Sequence, residues 1–225
     1  MIIGLEAELQ GAIKDQITRD RNQEQINRDA LKTAIGVYVD LGKEGDQKPI
    51  RRDGRFFWQG TPNLDYYVAQ FETTFLELSR TTFEGFASNW NSNYDCYQYL
   101  REVFRALQHE EGNADFWLQP QTKPKVVQIG IKALVTDMAN IVVEKENGVV
   151  TFFKEKALDK LHLLFNVFTR DETKYEQILD KMKPYIEEVG CALVNLEENV
   201  KDPIKFTDKL LGFKAEMDVM VQESF

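Results

Sequence analysis

Residues 94–127 read YDCYQYLREVFRALQHEEGNADFWLQPQTKPKVV, and apolar side chains recur in this stretch every three or four positions. That period predicts a helix with one buried face, formed by Tyr99, Leu100, Val103, Ala106, Leu107 and Ala114. Asp95 and Gln98 fit a capping box at its start. Pro120 and Pro124 bracket a turn, after which Thr122 is a suitable cap for the next helix.

The same spacing continues on both sides of this stretch and predicts an all-α fold of roughly eight to ten helices. Suitable cap residues stand at the expected helix ends: Asn27, Gly42, Thr173 with Glu176, and Asp202 before Pro203. The large apolar residues of these helices should form the core, namely Phe71, Phe75, Trp90, Leu100, Leu107, Trp117, Leu134, Leu161 and Phe165.

Residues 43–65 differ from the rest of the chain because they contain five glycines and prolines and show no period. We expect a long loop here, of a length that is uncommon within a compact domain. Arg55, Phe56, Phe57 and Trp58 form a basic and aromatic group inside it. Such residues are frequent in protein interfaces and also stack on nucleic-acid bases. The sequence leaves three interpretations open: a loop that packs on its own helices or is disordered, a protein contact, and a nucleic-acid contact.

The composition is that of an ordinary globular protein, with 43% hydrophobic and 29% charged residues in a chain of 225. Its formal net charge of −9 repels phosphate backbones, so nucleic acid is not expected as the main partner. No uninterrupted apolar run approaches the ~20 residues of a membrane span. The first residues also lack the basic start and apolar core of a signal peptide. We therefore expect no membrane association and a location in the cytoplasm and/or nucleus.

No residue pattern predicts a catalytic, cofactor or metal site. His109, Glu110 and Glu111 lack the one-turn spacing of helical zinc ligands, and a solvated acidic helix face is expected instead. The two cysteines, Cys96 and Cys191, are expected to be reduced and mostly buried, with no histidine suggested as a base for either. Glycine-rich nucleotide-binding loops are missing as well. The sequence thus favours a protein that is not an enzyme and needs no cofactor.

The stretch at 94–127 resembles the cullin family, which carries Cys-x-x-Tyr-Leu, an acidic helix, an aromatic-Leu pair and Pro-x-Thr-Lys-Pro-Lys. The residues that match are Cys96, Tyr99, Leu100, Leu107, Glu110, Glu111, Leu118, Pro120, Thr122, Lys123, Pro124 and Lys125. Two further pieces are similar to cullins in the same order: RDRNQEQINRDALKTAIGVYVDLG at 19–42, and IEEVGCALV with DPIKFTDKLLGFKAEMDVMVQESF near the end. The chain departs from the family at Asn113, where cullins usually have Arg, and at Trp117, where they usually have Tyr.

The resemblance implies stacked cullin repeats, that is, helical bundles forming an elongated, α-solenoid-like rod. It assigns residues 1–121 to the second repeat, with the long loop at 43–65, and residues 122–225 to an incomplete third repeat. The likeness is greatest to cullins of the SCF type.

The implied function is that of a non-catalytic scaffold in a cullin-RING ubiquitin ligase, a rigid spacer between the substrate adaptor and the RING end. Adaptors of the Skp or BTB type dock mainly on the first repeat, and the RING subunit on the C-terminal half. Both regions are expected to be absent here, and this fragment is expected to be monomeric. A helical rod of a vesicle-tethering complex is the alternative from another class.

Overall fold

The computed structural model describes residues 2–52, 55–61, 63–145, 147–195 and 202–224. Helices dominate these ranges, as the sequence predicts. In chain order they are α1 (Ile2–Arg21), α2 (Arg28–Leu41), α3 (Asp65–Tyr67), α4 (Thr73–Asn93), α5 (Cys96–Trp117), α6 (Thr122–Ile131), α7 (Ala139–Glu144), α8 (Val149–Lys154), α9 (Leu158–Phe168), α10 (Glu172–Asn195) and α11 (Pro203–Ser224).

Several helix ends are set by the predicted cap residues. The side chain of Asn27 accepts a hydrogen bond from the Ala30 N–H at the start of α2. Before α5, the Gln98 N–H donates to Asp95 Oδ1 and the Asp95 N–H donates to Gln98 Oε1, a reciprocal capping box. Pro203 is the first residue of α11, with the Asp202 carboxylate accepting from the backbone ahead of it.

Two predicted caps are wrong. Helix α10 begins at Glu172, and the residue that caps it is Asp171, which accepts a hydrogen bond from the Thr173 N–H at 3.0 Å. Thr122 is the first residue of α6, but its hydroxyl donates to Glu72. At α10 the cap is a residue earlier in the sequence than predicted. At α6 the predicted cap instead bonds to a residue distant in sequence.

Two short π-helical segments interrupt the regular helices. The first, π1 (Val68–Glu72), lies between α3 and α4, and the second, π2 (Lys132–Thr136), follows α6. A π turn inserts an additional residue and displaces backbone groups from the regular ladder, and such turns are frequent at functional positions. Both segments contain buried residues, so they belong to the interior of the protein.

The loop predicted for residues 43–65 is wrong over most of its length. Strand β1 (Glu44–Arg52) pairs with β2 (Arg55–Thr61) in an antiparallel hairpin, with an irregular register between Glu44 and Lys48. The period-two signal is hidden because glycines, Pro49 and the irregularity break the alternation. The Asp-Gly dipeptide at 53–54 is the sequence signal for a two-residue hairpin connection, and it stands between the paired residues Arg52 and Arg55.

The chain divides into two compact units. The first consists of Met1–Gly85 and Ala106–Gly130, and the second of Phe86–Arg105 and Ile131–Phe225. Helices α4 and α5 each contribute residues to both units. A repeat is defined by recurring sequence, whereas these units are defined by packing, so the predicted repeat boundary at 121–122 stays a prediction.

The core of the first unit contains a row of aromatic rings. Tyr38 stacks on Phe71 with ring centroids 5.7 Å apart, and Phe71 stacks on Phe75 at 5.4 Å. Gly42 closes α2 at a place where a Cβ atom would collide with the Asn63 carbonyl oxygen, so the close approach requires glycine. The other buried apolar residues here include Ile13, Ile17, Leu31, Ile35, Phe83, Leu107, Trp117 and Val126.

The second unit has a core of aliphatic residues and phenylalanines, in which α11 packs on α9 and α10. Its buried residues include Leu100, Val103, Leu134, Val142, Phe152, Leu161, Leu164, Phe165 and Ile178. Of the predicted core residues in the two units, all are buried except Trp90. Trp90 is half-buried, and its ring packs against those of Phe86 and Tyr99.

Residues Thr122–Glu144 form the one described segment that is long and apolar enough to cross a membrane by length and composition. Lysines interrupt the apolar run, which is why the sequence does not suggest a span. Half of its most apolar stretch is buried, and Val126, Leu134 and Val142 belong to the protein core. The core helix of a protein without a membrane span passes the same test, so the segment is weak evidence for one.

Candidate functional site: buried polar links between helices

The buried polar residues of the described chain all lie in the first unit. They are Asp20, Arg21, Glu72, Ser79, Glu110, Asn113 and Thr122. Buried polar groups are tolerated where they bond to one another, so their partners show what they do. Together with the polar side chains that bond to them, they form two groups. We call these the arginine cluster (Asp20, Arg21, Arg28, Ser79, His109, Glu110 and Asn113) and the glutamate cluster (Tyr67, Glu72, Thr122 and Lys125).

The arginine cluster is centred on a buried ion pair between α1 and α5. Arg21 Nε and Nη2 donate to the two carboxylate oxygens of Glu110 at 3.0 and 2.7 Å, and Nη2 also donates to Ser79 Oγ at 2.7 Å. The side chains of Arg21 and Glu110 are 3% and 4% exposed. The guanidinium lies over the rings of Phe75 and Phe83. This bidentate pair fixes the end of α1 against α4 and α5.

The prediction of a solvated acidic face at His109–Glu111 is therefore wrong for Glu110. Its carboxylate is buried because Arg21, which is 89 positions away in sequence, compensates its charge. Such a partner cannot be found from local spacing. His109, by contrast, has a side chain that is 42% exposed.

Asn113 joins the arginine cluster to α2. Its Nδ2 donates to Asp20 Oδ2 at 2.6 Å, and its Oδ1 accepts from Arg28 Nη2 at 2.7 Å. The Arg28 guanidinium also lies over the rings of Phe116 and Trp117, 4.9 and 5.5 Å from their centroids. Asn113, which stands where cullins usually have Arg, thus accepts a hydrogen bond from a guanidinium on α2.

The glutamate cluster connects π1 with the start of α6. Thr122 Oγ1 donates to Glu72 Oε1 and Lys125 Nζ donates to Glu72 Oε2, both at 2.7 Å. Because the Thr122 hydroxyl proton is used in that bond, the Tyr67 hydroxyl, 2.9 Å away, donates to Thr122. Burial raises the pKa of Tyr67. Glu72, which is 2% exposed, thereby has both carboxylate oxygens satisfied.

In the second unit, the motif residues Cys96 and Tyr99 bond to backbone carbonyls. The Tyr99 hydroxyl donates to the Leu134 carbonyl oxygen in π2 at 2.8 Å, and Cys96 Sγ lies 3.7 Å from the Val142 carbonyl oxygen. Burial raises the pKa of the Cys96 thiol to about 12. A thiol with such a pKa is protonated at neutral pH and is a poor nucleophile.

The prediction of two mostly buried thiols holds for Cys96 but is wrong for Cys191, which is exposed near the end of α10. The surrounding sequence, IEEVGCALV, does not show which face of the helix Cys191 occupies. Among the described residues, no group of three or more His, Cys, Asp and Glu side chains could hold a metal ion.

The residues singled out as a candidate protein contact, Arg55, Phe56, Phe57 and Trp58, lie together on β2. Their backbone positions are defined by pairing with β1, but their side chains lie outside the described part of the structure. Their role as a protein contact stays a prediction. The sequence does not single out Arg21, Glu72 and Ser79, because their importance depends on partners distant in sequence.

Comparison with known proteins gives a family match over the entire chain. The model of the family described as "Cullin: Cullin alpha solenoid domain" matches residues 1–225. The chain is 22% identical to Cullin-3A of Arabidopsis thaliana over 218 residues, covering 96% of this chain and 27% of that protein. It is 25% identical to Cullin-3 of Caenorhabditis elegans over 232 residues, covering 99% and 27%. Cullin-2 of Arabidopsis thaliana is 25% identical over 222 residues, covering 96% and 27%.

The chain spans about a quarter of the length of these relatives. The matches include cullins named 3 and 2, so the predicted likeness to SCF-type members stays a prediction. Most of the motif residues that suggested the family are buried: Cys96, Tyr99, Leu100, Leu107, Glu110, Leu118 and Thr122. The family-like pieces at 19–42 and 94–127 meet in the structure through the Arg21–Glu110 pair.

Proposed function

The chain belongs to the cullin family, and from that membership we propose that it is a non-catalytic scaffold segment of a cullin-RING E3 ubiquitin ligase. Cullins act as scaffolds in these ligases. The finer proposal is that this segment is a rigid spacer between the substrate adaptor and the RING end, where the conjugating enzyme is held.

One observation supports the proposal: residues of the cullin-like motif, Glu110 and Thr122, form buried hydrogen bonds that hold helices against one another. Arg21 with Glu110 joins α1 to α5, and Glu72 with Thr122 joins π1 to α6. Both pairs are buried and joined by short hydrogen bonds, so they hold particular helix positions. A segment whose characteristic residues fix geometry is suited to a mechanical role.

The proposed mechanism is geometric. A scaffold that holds an adaptor-bound substrate and a RING-bound conjugating enzyme at a useful separation raises their effective concentration. Transfer of ubiquitin then becomes effectively intramolecular, although the spacer contributes no reacting group. Loss of stiffness within the spacer lowers the effective concentration because the two ends sample more separations.

The proposal includes partners and location. In the ligase the partners are a Skp- or BTB-type adaptor and a RING subunit, each docking outside residues 1–225, and the assembly works in the cytoplasm and/or nucleus. Neither a nucleic acid nor a membrane is a proposed partner. The vesicle-tethering alternative has no support from the comparisons, because the matched family is the cullins.

The test is a ligase reconstituted with residues 1–225 as the middle segment of its cullin subunit. Glu110→Gln, which leaves the buried Arg21 without its counter-charge, should lower the rate of substrate ubiquitylation while adaptor and RING binding persist. Glu24→Gln, which removes a surface ion pair with Arg19, is the control and should leave the rate unchanged. An unchanged rate from a variant whose middle segment is unfolded by circular dichroism would refute the spacer role.

A further inference from the structure

We propose that the hairpin β1–β2 binds an extended, acidic segment of a protein partner, which adds to the free edge of β2 as a third strand. The inference goes beyond the scaffold role, because it assigns this chain a docking site of its own. It rests on the backbone pairing of the hairpin and on where that pairing places charge and proline.

The hairpin offers edges to which a strand can add. Its two strands form a two-stranded sheet, and within the described residues they pack chiefly on each other. Each strand therefore has one edge with no neighbouring strand in the described part of the chain. A strand edge presents a row of backbone N–H and C=O groups, which an extended peptide can bond in register.

Pro49 distinguishes the two edges. It has no N–H, and it pairs with Trp58 in the middle of the ladder. Proline is tolerated in a strand where its nitrogen faces away from the ladder, so the outer edge of β1 lacks a donor at this position. Strand β2 (Arg55–Thr61) contains no proline and has a continuous edge. The partner segment is therefore assigned to β2.

The register concentrates positive charge at one end of the hairpin. Arg52 stands directly opposite Arg55, and Arg51 stands opposite Phe56 on the next rung. Like charges directly opposite one another destabilise a strand pair. This basic end occurs in a chain whose formal net charge is −9, and Glu44 lies at the other end of β1. Carboxylates of a partner strand would complement the charge of arginines at these register positions, and guanidinium groups bind carboxylates bidentately.

A polypeptide fits these features better than a nucleic acid does. The edge of β2 offers backbone hydrogen bonds that only another polypeptide chain can complete in strand register. The overall negative charge opposes a phosphate polymer, whose binding depends on many basic residues. A short acidic peptide carries few charges, and the arginines at one end of the hairpin are sufficient to neutralise them.

Fluorescence anisotropy with a labelled peptide of about twelve residues, in which Glu and Val alternate, tests the proposal. The full chain should bind it at low salt, and a matched Lys–Val peptide should not bind. Arg52→Gln with Arg55→Gln should weaken binding about tenfold, and Arg52→Lys with Arg55→Lys should restore part of it. Arg80→Gln with Lys205→Gln, exposed residues on α4 and α11, removes the same charge elsewhere and should change little.

A second probe separates strand addition from plain charge attraction. The same Glu–Val peptide with alternate backbone nitrogens methylated keeps its charge but cannot complete the edge bonds, and it should bind about tenfold more weakly. Equal binding of the two peptides, or equal loss in the hairpin and control variants, would overturn the proposal. Tighter binding of an oligothymidine than of the peptide would overturn it in favour of nucleic acid. None of these outcomes bears on the ubiquitin-transfer assay, so the scaffold proposal stands or falls separately.

Discussion

Arg21 and Glu110 show how a single contact outweighs local sequence pattern. The stretch around Glu110 is acidic and polar, which predicts an exposed helix face, yet the carboxylate is buried against a guanidinium from another helix. A charge in the interior is tolerated only when its partner is present and well placed. Burial of either charged side chain therefore destabilises the fold unless the other side chain is present.

Glu110→Gln is expected to lower the free energy of unfolding by about 3–5 kcal/mol, because it leaves the Arg21 guanidinium buried without a counter-charge. Urea denaturation followed by circular dichroism measures the change. Glu24→Gln is the matched control, because it removes the acidic partner of Arg19, a partly exposed arginine of α1. This change should have little effect on the free energy of unfolding. Arg21→Met with Glu110→Leu should recover much of the loss, because neither charge is then buried. A loss for Glu110→Gln no larger than for Glu24→Gln would contradict the role of the pair.

The two cysteines should differ sharply in reactivity. Cys191 is exposed, whereas Cys96 is fully buried and has a pKa raised to about 12 by burial. Thiolate is the reactive form, so the folded protein should titrate one thiol promptly with a disulfide reagent at pH 8 and the second only after denaturation. Cys191→Ser should abolish the prompt phase and leave the slow one. Two prompt thiols in the folded protein would be inconsistent with the structure.

The sequence predicts most helices because their apolar residues recur with the helical period. The caps at Asn27, Asp95 and Asp202 are confirmed because they use short-range bonds that spacing reveals. The hairpin was missed because Pro49 and an irregular register interrupt its alternation. Its best signal was the Asp-Gly dipeptide at 53–54, which is typical of hairpin connections. The helical period of the sequence does not reveal the two π segments.

Segment π2 accepts a hydrogen bond from a side chain on α5. The Tyr99 hydroxyl donates to the Leu134 carbonyl oxygen inside a π turn, where the regular backbone ladder is interrupted. Tyr99→Phe removes the donor and leaves a buried carbonyl unsatisfied, which should lower the free energy of unfolding by about 1–3 kcal/mol. Denaturant unfolding measures this loss.

Tyr97→Phe is the matched control for Tyr99→Phe, because Tyr97 is on the same helix and only half-buried. It should unfold like the parent protein. Hydrogen exchange should further show that amides of residues 132–137 exchange faster in Tyr99→Phe, because the π turn has lost its anchor. Unchanged exchange and stability would mean that π2 is held by its backbone alone.

The resemblance in residues 94–127 is sufficient to predict the family, and the family match over the entire chain confirms it. The reason is physical: the motif residues are mostly buried, so their identities are constrained by packing and by paired bonds. The functional surfaces are a different matter. Arg55, Phe56, Phe57 and Trp58 could be singled out by composition, but a partner cannot be derived from residue type without the partner's own surface.

The isolated chain should not bind the other subunits of a ligase tightly. If residues 1–225 correspond to the second repeat and part of the third, the main adaptor surface on the first repeat and the RING platform both lie outside them. Specific interfaces bury on the order of 1,200–2,000 Å² around a few central anchors, and rim contacts alone add little affinity. The isolated chain should therefore fold but bind neither a Skp- or BTB-type adaptor nor a RING subunit with a sub-micromolar Kd. Isothermal titration calorimetry checks this, with a cullin chain that includes the first repeat as the positive control. A sub-micromolar complex would show that the docking surface extends into these repeats. Arg52→Gln with Arg55→Gln would then decide whether the hairpin is part of it.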